Sequence, residues 1–353
     1  MFQALHVWLL ALGGAALGGA FVPAAAQTLE VLTHSSFSLS EELVAAFTEE
    51  TGIEVTFIQG GDAGETVNRA ILTRANPLAD VLFGVDNSLI ARAAQADLFE
   101  PYTSPQLARV PERYRFSELV TPVDVGYVNF NYDVAWFEAE GLEPPTSLEA
   151  LTEPAYRDLT VVQNPASSSP GLAFMLTTIA KFGDGWLAYW AALRDNGLQV
   201  TDGWTDAYYT AFTRYGGDRP IVLSYASSPA AEVVFAEEAL DAAPTANLFC
   251  EGCVFEQIEA AGILAGSDNV EAARTFIDWL LSREVQEDIP LNMFVYPVSE
   301  DAEVPEVFRE HGGLPEPEHV AEIAFDEVAA NLDAWLEAWT RVVQQGQDPG
   351  AVR

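Results

Sequence analysis

The sequence predicts an α/β protein of two lobes, and three observations carry that expectation. At 353 residues the chain is too long for one ordinary domain and comfortable for two. Short alternating or apolar runs give way repeatedly to amphipathic helical runs, the pattern of strand–helix units with a largely parallel sheet. The pattern restarts after Pro122 as a second α/β unit. Hydrophobic residues form 49% of the chain and aromatics 11%, enough to pack a core in each lobe.

Taken in order, residues 7–20 are apolar and uncharged and lead to Ala24-Ala25-Ala26, a small-residue cleavage pattern. Residues 1–26 are therefore expected to be a signal peptide, with Gln27 the first mature residue and the mature chain periplasmic. The stretch before the apolar run contains no Lys or Arg, so an uncleaved anchor is the competing reading. No later run reaches the roughly 18 apolar residues of a membrane span.

Leu29–Thr33 alternates as a strand and is followed by a Ser-rich turn over His34–Ser38. Glu41–Gly52 puts Leu43, Val44 and Phe47 on one helical face, with Gly52 as its stop. Ile53–Phe57 alternates again, Gly60–Gly64 is a loop, Glu65–Ala75 a second helix and Ala79–Gly84 an apolar strand. In such sheets ligands sit beyond the carboxyl ends of the strands, where loops lead into helices. Thr33–Ser36, Gly60–Asp62 and Val85–Asn87 then share one rim, with His34, Asp62 and Asp86 on one wall of a cleft.

Val125–Tyr132 reads as a strand crossing between lobes, and Pro144–Leu151 as a proline-rich turn into a helix capped by Thr146 or Ser147. Strand Leu159–Gln163, loop Asn164–Ser169 and helix Gly171–Phe182 follow, then the buried strand Ile221–Tyr225 and a Ser-Ser-Pro helix start. Phe255–Leu264 crosses back. Helix Val270–Ser282 and a strand around Phe294–Val298 complete the first lobe, and amphipathic helices near Pro305–Arg309 and Ala321–Gln345 close the chain. The expected division is 27–126 plus about 262–299 for one lobe, and 127–261 plus about 300–353 for the other.

Sixteen basic residues against 53 acidic ones give a net charge of −37, and Lys181 is the only lysine. Such a field repels nucleic acid and anionic membrane surfaces and mildly favours cationic ligands, within a screening distance of about 10 Å. A saline or hot habitat explains the same charge without any ligand. No Gly-x-Ser-x-Gly, His-Glu-x-x-His, phosphate-loop or Gly-x-Gly-x-x-Gly pattern occurs, so neither an enzyme nor a cofactor or metal is expected. Cys250 and Cys253 are expected to form a disulfide that clips a loop. A thiol–disulfide redox motif would open a long helix, whereas here Val254–Glu259 alternates like a strand.

Two further clusters stand out. Ser167-Ser168-Ser169-Pro170-Gly171 and Ser227-Ser228-Pro229 place hydroxyls and proline at helix starts, whose free N–H groups suit hydroxyl or phosphate oxygens. Ordinary capping explains either one alone. Trp204, Tyr208 and Tyr225 put rings beside polar turns, where they stack on flat rings or cations; core packing is the competing use of each.

Asp80–Asn87, Gln163–Gly171, Gly203–Tyr208, Leu223–Pro229 and Tyr296–Val298, taken in this order, resemble the thiamine-binding subunits of bacterial thiamine ABC transporters. The resemblance runs from about Leu29 to Gln345. It implies a type II periplasmic-binding-protein fold, each lobe a mixed sheet flanked by helices. Such a protein, expected as a monomer, closes on thiamine or a thiamine phosphate and delivers it to a membrane permease. Carried over, Trp204 and Tyr225 match aromatic ligand contacts and Asp62 a carboxylate near the ligand. Phe294 stands where the family has tryptophan, and His34 where it has tyrosine. The chain departs from the pattern in two places: Ser38–Leu43 lacks an expected tryptophan, and Ala231 replaces a tyrosine, which thins the aromatic cage. The nearest alternative is a ferric-iron-binding relative using the adjacent phenols Tyr208 and Tyr209.

Overall fold

The computed structural model describes residues 27–352; the expected signal peptide lies outside the described residues. The first stretch builds β1 (Gln27–Thr33), α1 (Glu41–Thr51), β2 (Ile53–Gln59), α2 (Ala63–Thr73), β3 (Val81–Asp86), α3 (Ile90–Gln95) and the short β4 (Phe99–Glu100). Gly52, at φ 71°, ends α1 in the left-handed conformation that a side chain disfavours. Asp62 caps α2 by accepting the Ala63 N–H.

β5 (Thr121–Asp133) is the longest strand, and it leads into α4 (Val134–Glu140), β6 (Thr160–Gln163), α5 (Ser169–Phe182), α6 (Trp186–Asp195) and β7 (Gln199–Thr201). A short turn α7 (Trp204–Asp206), β8 (Ile221–Tyr225), α8 (Ser228–Val234) and β9 (Thr245–Leu248) follow. β10 (Phe255–Leu264) returns, before α9 (Val270–Leu280), α10 (Arg283–Asn292), β11 (Tyr296–Pro297) and α11 (Phe325–Trp339).

The strands form one mixed sheet in the order β2-β1-β3-β10-β5-β8-β6-β7, with β4 added to β10, and β9 and β11 to β5. Its two outer portions are parallel, as strand–helix units require. The centre is not: β10 runs antiparallel to both β3 and β5, and β5 antiparallel to β8. β5 pairs with β10 through Thr121–Val128 and with β8 through Val128–Tyr132, so one strand serves both portions.

Some elements differ from the sequence expectation. Around Phe294–Val298 only Tyr296–Pro297 is strand, because Phe294 takes φ 55°, which no strand residue adopts. Pro144–Leu151 yields only a short turn over Glu149–Thr152, with Ser147 Oγ accepting from the Ala150 N–H. The helix expected near Pro305–Arg309 shrinks to a wide turn, Phe308–Gly312.

Apolar side chains cover both faces of the sheet. Phe47, Phe276 and Trp279 pack α1 on α9, with ring centroids 4.7–5.9 Å apart. Trp190 of α6 meets Trp339 of α11 edge to face at 5.4 Å. α11 also reaches the first stretch, where Arg92 of α3 pairs with Asp333 at 2.5 Å. Among the described residues, no helix is long and apolar enough to cross a membrane. Cys250 and Cys253 are disulfide-bonded in the loop between β9 and β10.

Candidate functional site

A cavity of 320 Å³ opens where the two portions of the sheet face each other across its centre. That volume suits a small organic ligand. His34, Asp62, Trp204, Tyr208, Tyr225, Ser227 and Phe294 all line it, which brings seven of the nine expected residues together. Asp86 and Ser168 lie behind the lining. Asp86 is buried at the end of β3, where Oδ1 accepts from the Ser88 and Leu89 N–H groups and the Ser88 hydroxyl. Ser168 is the buried N-cap residue of α5, and the next hydroxyl, Ser169, is the one on the cavity.

One wall is aromatic. Trp204 and Tyr208 lie nearly parallel, 5.0 Å apart and 19° from coplanar, because both occupy one face of the turn that begins at Gly203. Trp204 is held at three points: its indole N–H donates to Ser224 Oγ, its backbone N–H to Asp62 Oδ2, and Tyr209 meets it edge-on. The Asp62 bond spans the cavity mouth from α2 to α7. Beside it the Glu65 N–H donates to the Ser167 carbonyl at 2.9 Å. A Cβ on Gly64 would stand 2.7 Å from that same carbonyl, so only glycine permits this approach.

The aromatic lining extends beyond the expected residues. Tyr215 and Phe235 join the wall, and Phe235 packs on Phe294 at 4.9 Å. The Ser227 hydroxyl donates to the Phe294 carbonyl and holds Phe294 at its strained positive φ. Ala231 does line the cavity, at the place expected to leave the cage thin.

Carboxylates are set among these rings. Asp62, Glu232 and Glu259 line the cavity, and no lysine or arginine does. Glu232 is buried and accepts from the phenols of Tyr208 at 2.9 Å and Tyr215 at 3.0 Å, and from Arg214 at 3.2 Å. Burial, then the Glu232 carboxylate, holds the Tyr208 phenol well above the usual tyrosine range and raises Tyr209 and Tyr215 as well. Tyr208 and Tyr215 are thus protonated and committed as donors to Glu232.

His34 faces Glu259, its Nε2 3.4 Å from Oε1, while Nδ1 accepts the Ser36 N–H. Burial pushes its imidazole down, but Glu259 more than offsets this, with Asp62 and Asp86 behind it, so its pKa stands above the usual value. Gly84 makes room for the ring: at φ 101°, a Cβ there would strike His34 Cδ2 at 2.5 Å. Tyr225 donates to Gln257 Oε1 at 3.1 Å, and Gln257 donates to Ser169 Oγ at 3.2 Å, which ties the α5 N-terminus to the cavity floor. The second Ser-rich helix start also lies on the wall, with Ser227 and Ser228. Glu232 and Glu259 were not expected from the sequence. Their signal was there: each is a lone acid inside an otherwise apolar run, Ala230–Val233 and Ile258–Ala261.

Comparison with known proteins gives concordant findings. The family model described as bacterial extracellular solute-binding protein matches residues 76–312. The thiamine-binding periplasmic protein of Salmonella typhimurium is 31% identical over 322 residues, covering 90% of this chain and 94% of the relative. Its counterpart in Brucella suis is 32% identical over 333 residues, covering 92% and 95%. Among solved structures, a periplasmic thiamin binding protein superposes with TM-score 0.79 at 29% identity, covering 90% of this chain and 96% of that one. The apo ferric ion-binding protein A of Pasteurella haemolytica shares the fold, with TM-score 0.72 at 21% identity over 90% and 98%.

Proposed function

Because the chain belongs to the bacterial extracellular solute-binding proteins, we propose that it captures thiamine or a thiamine phosphate and hands it to a membrane permease. The observation that carries this reading is one cavity lined by both rings and carboxylates. A stacked Trp204–Tyr208 platform with Tyr225 shares it with Asp62, Glu232 and Glu259, and no lysine or arginine lines it. Such a chamber suits a flat aromatic cation, whose ring stacks while its charge meets carboxylates. The relatives named for thiamine binding support the same ligand. The hydroxyls Ser169, Ser227 and Ser228 at two helix starts would receive the hydroxyl or phosphate end.

In this reading β5 and β10 join two lobes, residues 27–126 with about 262–299 and 127–261 with about 300–353. The Asp62–Trp204 and Glu65–Ser167 bonds then belong to the closed state, and ligand shifts the population toward it. The mature protein would begin at Gln27 and act as a periplasmic monomer.

Calorimetric titration of residues 27–353 with thiamine, its monophosphate and its pyrophosphate tests the reading, with ferric citrate in parallel. Single-site binding of a thiamine compound at micromolar or lower concentration is expected. A coloured iron complex without thiamine binding would overturn it.

A further inference from the structure

Three acids stand side by side in one rung of the sheet. Glu259 of β10 is in register with Asp86 of β3 on one side and Asp124 of β5 on the other. Directly opposed residues point to the same face, and like charges so placed repel. Asp86 and Asp124 are wholly buried, and Glu259 nearly so. Neither Asp124 oxygen has a hydrogen-bond partner among the described residues, nor has Asp86 Oδ2. A buried carboxylate with bare oxygens and no counter-cation is very costly, whereas a protonated carboxyl is tolerated.

The rung touches the cavity at one end. Glu259 lines it, and His34 Nε2, buried and without a hydrogen-bond partner, faces Glu259 from the tip of β1. The other titratable groups around the rung are Asp62 at the start of α2 and Tyr225 of β8. Neither supplies a positive charge; the neighbour that can is the His34 imidazole, which Glu259 favours in its protonated form.

We propose that Glu259 is the seat of the ligand's positive charge and that the rung behind it releases a proton to solvent as the cation arrives. The coupling rests on the reading of the cavity as a thiamine site. An organic cation against Glu259 stabilises ionised carboxylates beside it, so the proton held by Asp124 and Asp86 leaves for the buffer. Asp124 and Asp86 do not touch the ligand; they are positioning residues that hold the departing proton behind Glu259. Burial first, then the Glu259 charge, raises the Asp124 carboxyl well above the usual range, and burial carries Asp86 up to about 7. The sign follows: a ligand that expels a proton binds more tightly as pH rises, by up to about tenfold per pH unit for one proton.

The test is calorimetry of thiamine binding in buffers of different ionisation enthalpy, repeated across neutral pH, on the wild type and on Asp124→Asn. Comparing the two cancels the ligand's own titration. Proton release by the wild type that is largely lost in Asp124→Asn, whose association constant becomes nearly pH-independent, is the expected result. Thiamine binding with equal proton release in both proteins would overturn the coupling while leaving the functional reading intact. No binding of thiamine would overturn the functional reading and the coupling with it. Should Asp124→Asn fail to fold, infrared spectra of the free wild type and Asp86→Asn decide. A protonated-carboxyl C=O band at neutral pH, shifted or weakened in Asp86→Asn, supports the proton store, and no such band overturns it.

Discussion

Trp204 shows what a single side chain contributes here. Its ring is fixed by Tyr208, Tyr209 and Ser224, all on its own side of the cleft, so little rotamer freedom remains to be lost on binding. Trp204→Ala is expected to weaken thiamine binding by about 2 kcal/mol or more, roughly 30-fold, in a calorimetric titration. Asp86 acts on stability instead. Its carboxyl titrates near 7 in the fold and near 4 in the unfolded chain, so only the folded state keeps the proton between those values. The protonated group therefore stabilises the fold at low pH, and that contribution is lost as pH rises from about 4 to about 7. Asn at this place keeps the oxygen that Ser88 and Leu89 donate to. Asp86→Asn should remove a decline on the order of 3–4 kcal/mol from urea-unfolding free energies measured across that window. The sequence revealed residues of this kind unevenly. Trp204 and Tyr225 were legible as rings beside polar turns, and Asp62 by its loop beyond the carboxyl end of a strand. Glu259 was hidden because an acid inside a strand announces burial without naming what it faces.

At the scale of elements, periodicity was informative where one face alone is buried. α9 is such a case. Ile221–Tyr225 and Phe255–Leu264, buried on both faces, carry the boundaries expected for them as short runs between turns. Helical periodicity failed where apolar residues also occupy the exposed face. α6, Trp-Leu-Ala-Tyr-Trp-Ala-Ala-Leu, is apolar almost throughout and offers no helical stripe to read. Near Phe294 the backbone follows the Ser227 contact, which no local pattern encodes. α2 supplies the prediction of this scale. Its second residue, Gly64, meets the Ser167 backbone across the cleft. Alanine there favours the helix itself by up to about 1 kcal/mol yet obstructs the approach. Gly64→Ala should leave the melting temperature unchanged or raised, weaken thiamine binding about tenfold or more, and reduce ligand-induced compaction in solution scattering. Unaltered compaction would remove this contact from closure.

For the whole molecule, the alternation of strands and helices predicted the parallel outer portions of the sheet, but composition said nothing of its antiparallel centre. That centre depends on pairing between residues far apart in sequence, such as Val81 with Ile263 and Gly126 with Gln257. β10, tenth in the chain, lies between β3 and β5. A polypeptide that emerges N-terminus first therefore exposes both flanking strands long before their common partner exists. Each portion can pair within itself, but the two cannot be joined until the residues of β10 have emerged. The strand order is thus a timer: the last seam of the sheet is sewn only by a segment from the final third of the chain.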